Sequence, residues 1–292
     1  MGNLYIVATP IGNLDDISKR AIETLKSVDI ILCEDTRTSS HLLNSLDIKT
    51  KLISYHKFNE TTRSKEIIKL LQEGNNIALI TDAGTPCISD PGSILIKEAI
   101  LNNISLYSIP GPSALITALT LTGLEINNFA FYGFLERKNN LQRQQLKTIN
   151  DNDIDIVIFY ESPKRIIETI KNIDLVMHNP YIVVLNELTK KFEKKYYGLS
   201  KDVLNNLLEN DKHELGEYVI VVSKNKKEQE IKEEISLEGL LIDKVVKDNC
   251  TMKDAITKLA NEYKDKYSKN DFYKASLNIK KLLKWSFKIL NL

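Results

Sequence analysis

The stretch IALITDAGTPCISDPGSILIKEAIL, residues 77–101, decides the fold. Its first five residues form an apolar, partly β-branched run of the length expected for a buried strand. Residues 81–92 then hold two prolines, two glycines and two aspartates, which is loop chemistry. From residue 92 to 101 apolar side chains return at helical spacing. Strand, long loop and helix make one βα unit, and the chain repeats it. Residues 4–8, 30–33 and 105–109 read as further buried strands. Residues 15–28, 36–46 and 59–73 read as helices, with Asp15 and Asn59 where N-caps belong and Ser18 and Thr62 following. This alternation predicts an α/β layer of parallel strands. A second set follows, with strands at 129–133, 155–160, 181–186 and 218–223 and helices at 140–149, 163–173 and 201–209. The two α/β halves meet near residues 114–123.

A chain of 292 residues is too long for one typical core and suits two domains plus an appendage. The run NKKEQEIKEE (225–234) reads as a linker or exposed helix. Beyond it, residues 237–247, 252–263 and 272–280 have helical apolar spacing. The expected division is therefore 1–115, 116–225 and a small helical module at 236–292. Net charge over the whole chain is only +1. It is unevenly spread: residues 251–292 carry ten lysines against Asp254, Glu262, Asp265 and Asp271, a net +6 on a body of −5. A basic tail is a candidate footprint for a polyanion. A solvated Lys-rich surface is the plainer alternative.

Cys33, Cys87 and Cys250 form no CxxC pair, which argues against a zinc ribbon or disulfide framework and fits a reducing cytosol. His41, His56, His178 and His213 lack metal spacing, so no metal is expected. No apolar run reaches membrane-spanning length. The N-terminus has no basic n-region, and Ile6 stands where a myristoylation signal needs Ser or Thr. The expected compartment is the cytoplasm.

Six of the seven prolines (Pro10, Pro86, Pro91, Pro110, Pro112 and Pro163) follow predicted strands or open the next helix. Ligands of open α/β sheets bind at the carboxyl ends of the strands. Four loops there have dense turn chemistry: ATPIGN (8–13), TDAGTPCISDPG (81–92), PGPSA (110–114) and YESPKR (160–165). One such loop only turns the chain; four at strand ends point to a shared ligand site. The chain has no GxGxxG after the first strand, no GxxxxGK[ST] and no GxSxG. The dinucleotide fingerprint, the P-loop and the hydrolase elbow are therefore absent. Asp82, Asp90 and close-approaching glycine backbone suit a nucleoside without a polyphosphate. The residues alone carry the reading no further.

The ordered segments VATPIGNLDDI, CEDTRTS, DAGTPCISDPG, PGPSA, GFLERK and FYESPKR closely resemble the RsmI-type ribosomal RNA methyltransferases of the tetrapyrrole (corrin/porphyrin) methylase superfamily. The resemblance covers residues 3–224, and SKNDFYKASL (268–277) resembles the family's ending. It implies two α/β domains of the class III methyltransferase type, with S-adenosylmethionine in the cleft between them, and a homodimer. It also implies methyl transfer to the ribose 2′-hydroxyl of a cytidine near the decoding centre of small-subunit ribosomal RNA.

Carried over residue by residue, the resemblance implies a cofactor loop of Asp82, Ala83, Gly84, Thr85, Pro86, Ile88, Ser89, Asp90, Pro91 and Gly92. Ser113 and Ala114 line another wall, Tyr160 contributes from the second domain, and the turn at Pro10–Gly12 closes the floor. CEDTRTS faces the substrate, with Arg37 among its contacts. A ribose hydroxyl is a poor nucleophile, so a base or an oxyanion-stabilising group would help. Glu34, Asp35, Lys138 and Glu161 are the candidates. Arg137, Lys138 and Arg143, joined by Lys164 and Arg165, form a basic cluster suited to phosphates. Tyr132 or Tyr160 could stack on unpaired bases. The chain departs from the family pattern at Glu136 (Pro is common), Lys164 (His is usual) and Asn186 (Arg is common), which bears on substrate contacts and leaves the cofactor loop intact. Trp285 and Phe287 read as packing residues. Rival readings are a tetrapyrrole acceptor, diphthine-type protein methylation, a non-catalytic ribosome-binding protein and, least, a metal-dependent hydrolase.

Overall fold

The computed structural model describes residues 1–224, 236–264 and 267–289, with side chains described up to residue 280. The segment 225–234 and the side chains of Trp285 and Phe287 lie outside that description. The chain divides into two compact units, Met1–Asn225 and Lys226–Leu292.

The first unit holds two five-stranded sheets. The N-terminal one contains β1 (Asn3–Val7), β2 (Ile30–Cys33), β3 (Lys51–Ser54), β4 (Ile77–Leu79) and β5 (Ser105–Ile109), ordered β3-β2-β4-β1-β5 and parallel throughout. Strand side chains alternate between faces. Ile30, Leu32, Ile77 and Leu79 pack under α3 (Glu60–Gln72) and α4 (Ser93–Leu101), using Ile67, Leu71, Leu95 and Ala99. Ile31, Cys33 and Ala78 point the other way, onto Ala21 and Leu25 of α1 (Lys19–Ser27) and Leu43 of α2 (Thr36–Ser45). Helices on both faces explain why these strands are continuously apolar.

The second sheet contains β6 (Phe129–Phe134), β7 (Ile156–Glu161), β8 (Tyr181–Asn186), β9 (Lys194–Leu199) and β10 (Tyr218–Ser223), ordered β6-β7-β10-β8-β9. Only β6 and β7 pair in parallel; β10 runs antiparallel to β7 and β8, and β9 to β8. One face carries α6 (Asn139–Asn150), α7 (Ile166–Met177) and α8 (Ser200–Leu208). The other packs Ile158, Val183 and Val221 against Ala118 and Leu119 of α5 (Ala114–Thr120), and against Ile11 from the first half.

Several expectations need correction. Asp15 is no α-helix cap: Leu14–Asp16 is a short 3-10 turn capped by Asn13, and α1 starts later, capped by the Ser18 hydroxyl. Asn59 precedes α3 without a side-chain cap bond. The second sheet is mixed rather than a repeat of the first. The edge strands β3 and β9 are additional, and the inter-half segment folds as α5, whose first turn contains the expected 115/116 boundary.

Among its described residues the second unit forms three helices, α9 (Leu237–Lys247), α10 (Met252–Glu262) and α11 (Lys269–Ile289). Leu241, Ala255, Leu259, Phe272 and Ile279 form its core. Ser236 and Thr251 cap α9 and α10 by accepting from the amides of Gly239 and Asp254. Each such cap is worth about 1 kcal/mol.

Candidate active site

β4, β1 and β5 are neighbours, so the loops that follow them leave one sheet edge side by side. Thr9 and Gly84 exchange backbone hydrogen bonds of 2.9 and 3.1 Å. The Thr9 hydroxyl donates to Thr81 O at 3.1 Å, and the Thr85 hydroxyl to Pro112 O at 3.0 Å. Gly84 has φ +87°, and a Cβ there would approach Ile11 Cγ2 to 3.3 Å. Cys87 and Ser89 hold left-handed φ values of 70° and 68° without being glycine. Such strain costs about 1–3 kcal/mol per residue and persists only where the surroundings enforce it. Across the cleft, Gly133 (φ +62°) lets β6 pass Ser89; a Cβ would sit 3.0 Å from the serine hydroxyl.

Between these loops and the second sheet lies a cavity of about 390 Å³, a normal size for a small-molecule site. Ile11, Thr81–Thr85, Ile88–Asp90, Ser113 and Ala114 line it from the first half. Phe134, Tyr160–Pro163, Leu188 and Glu217–Val219 line it from the second. The Tyr160 ring meets Phe131 and Phe134 edge-on at 4.7 and 5.9 Å. One side is thus apolar and aromatic. The other is acidic: burial, reinforced by the charges of Glu34 and Asp82, pushes Asp90 up to about 6, although the Thr81 hydrogen bond opposes this. Asp82 is raised by burial and by Asp35 despite the Asp35 amide bond, and Glu34 by burial and by Asp82 against the opposing His56. Carboxylates gathered this closely favour a cationic ligand. An acidic rim facing an apolar wall, with Gly84 leaving backbone open, fits a nucleoside bearing positive charge.

Of the residues expected at a cofactor site, Asp82, Ala83, Gly84, Thr85, Ile88, Ser89, Asp90, Ser113, Ala114 and Tyr160 line this cavity together. Pro10, Gly12, Pro86, Pro91 and Gly92 do not. Gly12 receives the stem of Lys190, whose Cγ would lie 2.3 Å from a Cβ there; Gly92 has no room beside Cys87 and Leu79. These five shape the loops, and Ile11 between Pro10 and Gly12 faces the ligand space. Leu188 and Glu217–Val219 were not legible in the sequence: antiparallel pairing of β10 with β8 brings them to the cleft. Gly216 (φ +83°), two residues before β10, is the sequence signal nearby.

The four candidates for proton chemistry separate. Asp35 caps α2 by accepting from the Arg37 amide and holds the Arg37 guanidinium at 2.7 Å, which keeps its carboxyl down at about 2. Arg37 is itself 87% exposed. Glu161 has no exposed side-chain surface. It accepts from the Ser162 amide (2.7 Å), the Thr169 hydroxyl (2.6 Å) and Arg165 Nη2 and Nε (2.6 and 2.8 Å). Arg165 also donates to Leu135 O and Glu136 O. The pair therefore ties the β7 loop to the GFLERK loop, and Glu161 also borders the cavity. Arg143 is likewise held, by Asn172 Oδ1 at 2.7 Å. Tyr132, partly buried, packs against the core beneath α6 and α7, its hydroxyl accepting from Asn152. Among the described residues no hydrogen bond or ion pair holds the Glu34 carboxylate. Arg137, Lys138 and Lys164 are exposed; Lys164 directly follows the lining residue Pro163, and Arg137 and Lys138 follow Phe134 by three and four residues.

Among the described residues, no group of three or more His, Cys, Asp or Glu is placed to hold a metal ion, and no helix is long and apolar enough to cross a membrane.

Two five-stranded α/β sheets flanking an acidic, glycine-bearing cleft are the architecture of an α/β methylase. The model of the tetrapyrrole (corrin/porphyrin) methylases matches residues 3–204. The chain is 39% identical to ribosomal RNA small subunit methyltransferase I of Buchnera aphidicola subsp. Schizaphis graminum, over 96% of this chain and 97% of that protein. It is 38% identical to the Bacillus subtilis protein of the same name, over 89% of each. The crystal structure of uroporphyrin-III-C-methyltransferase from Thermus thermophilus superposes with a TM-score of 0.55 at 16% identity, covering 77% of this chain and 95% of that one, and shares the fold. The chain belongs to the tetrapyrrole methylase family, on the branch of the ribosomal RNA small subunit methyltransferases I. It is a methyltransferase whose methyl donor is S-adenosylmethionine.

Proposed function

We propose that this chain methylates the ribose 2′-hydroxyl of a cytidine in the decoding region of small-subunit ribosomal RNA, in the cytoplasm. The observation carrying this reading is the cavity with unequal walls. Acidic loops and aromatics enclose it, and the exposed cations Arg137, Lys138 and Lys164 lie in the chain just after its lining residues Phe134 and Pro163. The named activity of the relatives supports an RNA acceptor.

The donor supplies an electrophilic methyl group on a sulfonium centre. Asp82 and Asp90 complement its positive charge, and Phe134, Tyr160, Leu188 and Val219 exclude water around it. Ala83, Gly84, Ser113 and Ala114 present the close backbone. Much of the rate comes from holding both reactants in line. Glu34, outside the cavity lining but close to Asp82 and His56, and held by no hydrogen bond or ion pair among the described residues, is the carboxylate proposed to take the ribose proton. Its raised pKa brings it closer to the basicity that the step needs. Lys138 is assigned to phosphate contact, with Arg137 and Lys164. The division 1–115, 116–225 and 236–292 is the domain scheme proposed to go with this. A homodimer is proposed across the β5 edge, where Tyr107 and the nearby Ile100 and Leu101 of α4 leave apolar surface exposed.

The test is transfer from labelled S-adenosylmethionine to small subunits from a strain lacking the protein, with the product mapped by mass spectrometry. A ribose-methylated cytidine near the decoding centre, lost with Asp82→Ala and slowed in kcat with Glu34→Gln, is expected. Transfer to no position of the subunit refutes the reading.

A further inference from the structure

The turn between β3 and α3, YHKFN (residues 55–59), belongs to none of the loops above. It leaves the same sheet edge as the ligand loops, because β3 pairs in parallel with β2 at Cys33↔Ser54 and β2 with β4 at Leu32↔Leu79. The turn is firmly built. The Asn59 side chain accepts from the His56 amide at 2.9 Å and donates to Ser54 O at 3.2 Å, and the amides of Asn59 and Glu60 both return to His56 O. Tyr55 anchors its base in the core, bonded to Ser64 at 2.9 Å. At its tip Phe58 is 95% exposed, the most exposed large apolar side chain among the described residues. The His56 ring braces it edge-on at 6.0 Å. Lys57 stands exposed beside it.

This hydrogen-bonded turn presents a bare phenyl ring next to a cation, and the ring, burying almost nothing in its own chain, adds little to folding. Aromatic rings flanked by cations are how proteins hold unpaired bases. Location gives the partner. His56 lies close enough to Glu34 to act on its ionisation, and the Asp35 amide reaches Asp82 Oδ1 at 3.3 Å. One strand, β2, separates this turn from the cavity loop, so the distance between them is about 10 Å. At 3.4 Å per stacked nucleotide, that is within about three nucleotides of the reacting ribose.

We propose that Phe58 stacks on an unpaired base of the RNA acceptor within about three nucleotides of the methylated residue, while Lys57 contacts the adjoining phosphate. This rests on the RNA reading of the site and extends it to a second contact on the N-terminal half. The stack orients the acceptor strand so that the target ribose enters beside Glu34.

The experiment compares full-length wild type, Phe58→Ala, Phe58→Leu and Phe58→Trp. Affinity for small subunits is measured by filter binding, donor affinity by calorimetry, and kcat and KM by methyl transfer. Loss of one base stack corresponds to about a ten-fold weaker Kd. Phe58→Ala and Phe58→Leu are expected to raise Kd and KM for subunits by about that factor, with donor affinity unchanged, and Phe58→Trp to retain wild-type values. Subunit affinity in Phe58→Ala within two-fold of wild type overturns the proposal. So does full recovery by Phe58→Leu, which would indicate a merely apolar contact, and so does a changed donor affinity. Wild-type protein that neither binds nor methylates subunits overturns the functional reading itself, a different result from wild-type transfer that is indifferent to Phe58.

Discussion

Glu161 lies at the end of β7, where a carboxylate could serve either as a proton acceptor or as part of the frame. The structure makes these alternatives separable by stability. Its side chain has no exposed surface and holds a guanidinium whose own side chain is 23% exposed. Replacing Glu161 by Ala leaves Arg165 without its counter-charge and deprives the Ser162 amide and Thr169 hydroxyl of their acceptor. Breaking one partner of a buried ion pair costs about 3–5 kcal/mol. Arg165 keeps its bonds to Leu135 O and Glu136 O and retains some solvent, which places the loss at the lower end, about 3 kcal/mol. For a unit of this size that lowers the unfolding midpoint by about 6–12 °C. Glu161→Gln keeps volume and one acceptor oxygen, and is expected to lose about half as much. Calorimetric unfolding of the full chain measures both. Activity is expected to fall in step with stability, and small-subunit KM to rise as the GFLERK loop loosens. A Glu161→Gln protein that melts within 1 °C of wild type yet transfers no methyl group would refute this reasoning and return Glu161 to the chemistry.

Two further outcomes follow from the charges. Asp90 has a folded-state pKa of about 6 against an ordinary 3.8; being raised, it binds a proton more readily folded than unfolded, so its ionisation removes stability as pH rises from about 4 through 6. Asp90→Asn is therefore expected to match wild type in unfolding midpoint at pH 4 and to exceed it increasingly up to pH 7, in a pH series of thermal melts; a difference constant with pH would contradict the burial of this carboxyl. Lys138→Ala is expected to weaken subunit binding and flatten its dependence on log[salt] by about 0.7, the contribution of one phosphate on a single strand, whereas an unchanged slope in filter binding would remove Lys138 from the RNA path.

Much of the architecture was legible because burial writes itself into residue type. Strands β1, β2 and β4 lie inside the first sheet and read as short apolar runs, while the loops after them advertise themselves by Pro, Gly and Asp. The strands that escaped notice are at sheet edges. β3 is KLIS and β9 is KKYYGL, charged and half-exposed, as edge strands tend to be to discourage unwanted pairing. α5 escaped for a different reason: at seven residues it is too short for a clear period.

The same distinction runs through the site. The sequence by itself determined the α/β class and the loops that converge, because loop composition and strand-end position are local properties, and its family resemblance implied ten of the residues lining the cavity. Only the tertiary structure decided which polar groups stay available. Glu34, Asp35 and Glu161 look alike in sequence. Asp35 is consumed by its own helix and Arg37, Glu161 by Ser162, Arg165 and Thr169, and Glu34 alone is left facing Asp82 and His56. Antiparallel pairing carried Leu188 and Glu217–Val219 into the cleft from distant chain positions. A carboxylate's chemistry depends on its partners and its access to water, and folding assigns both.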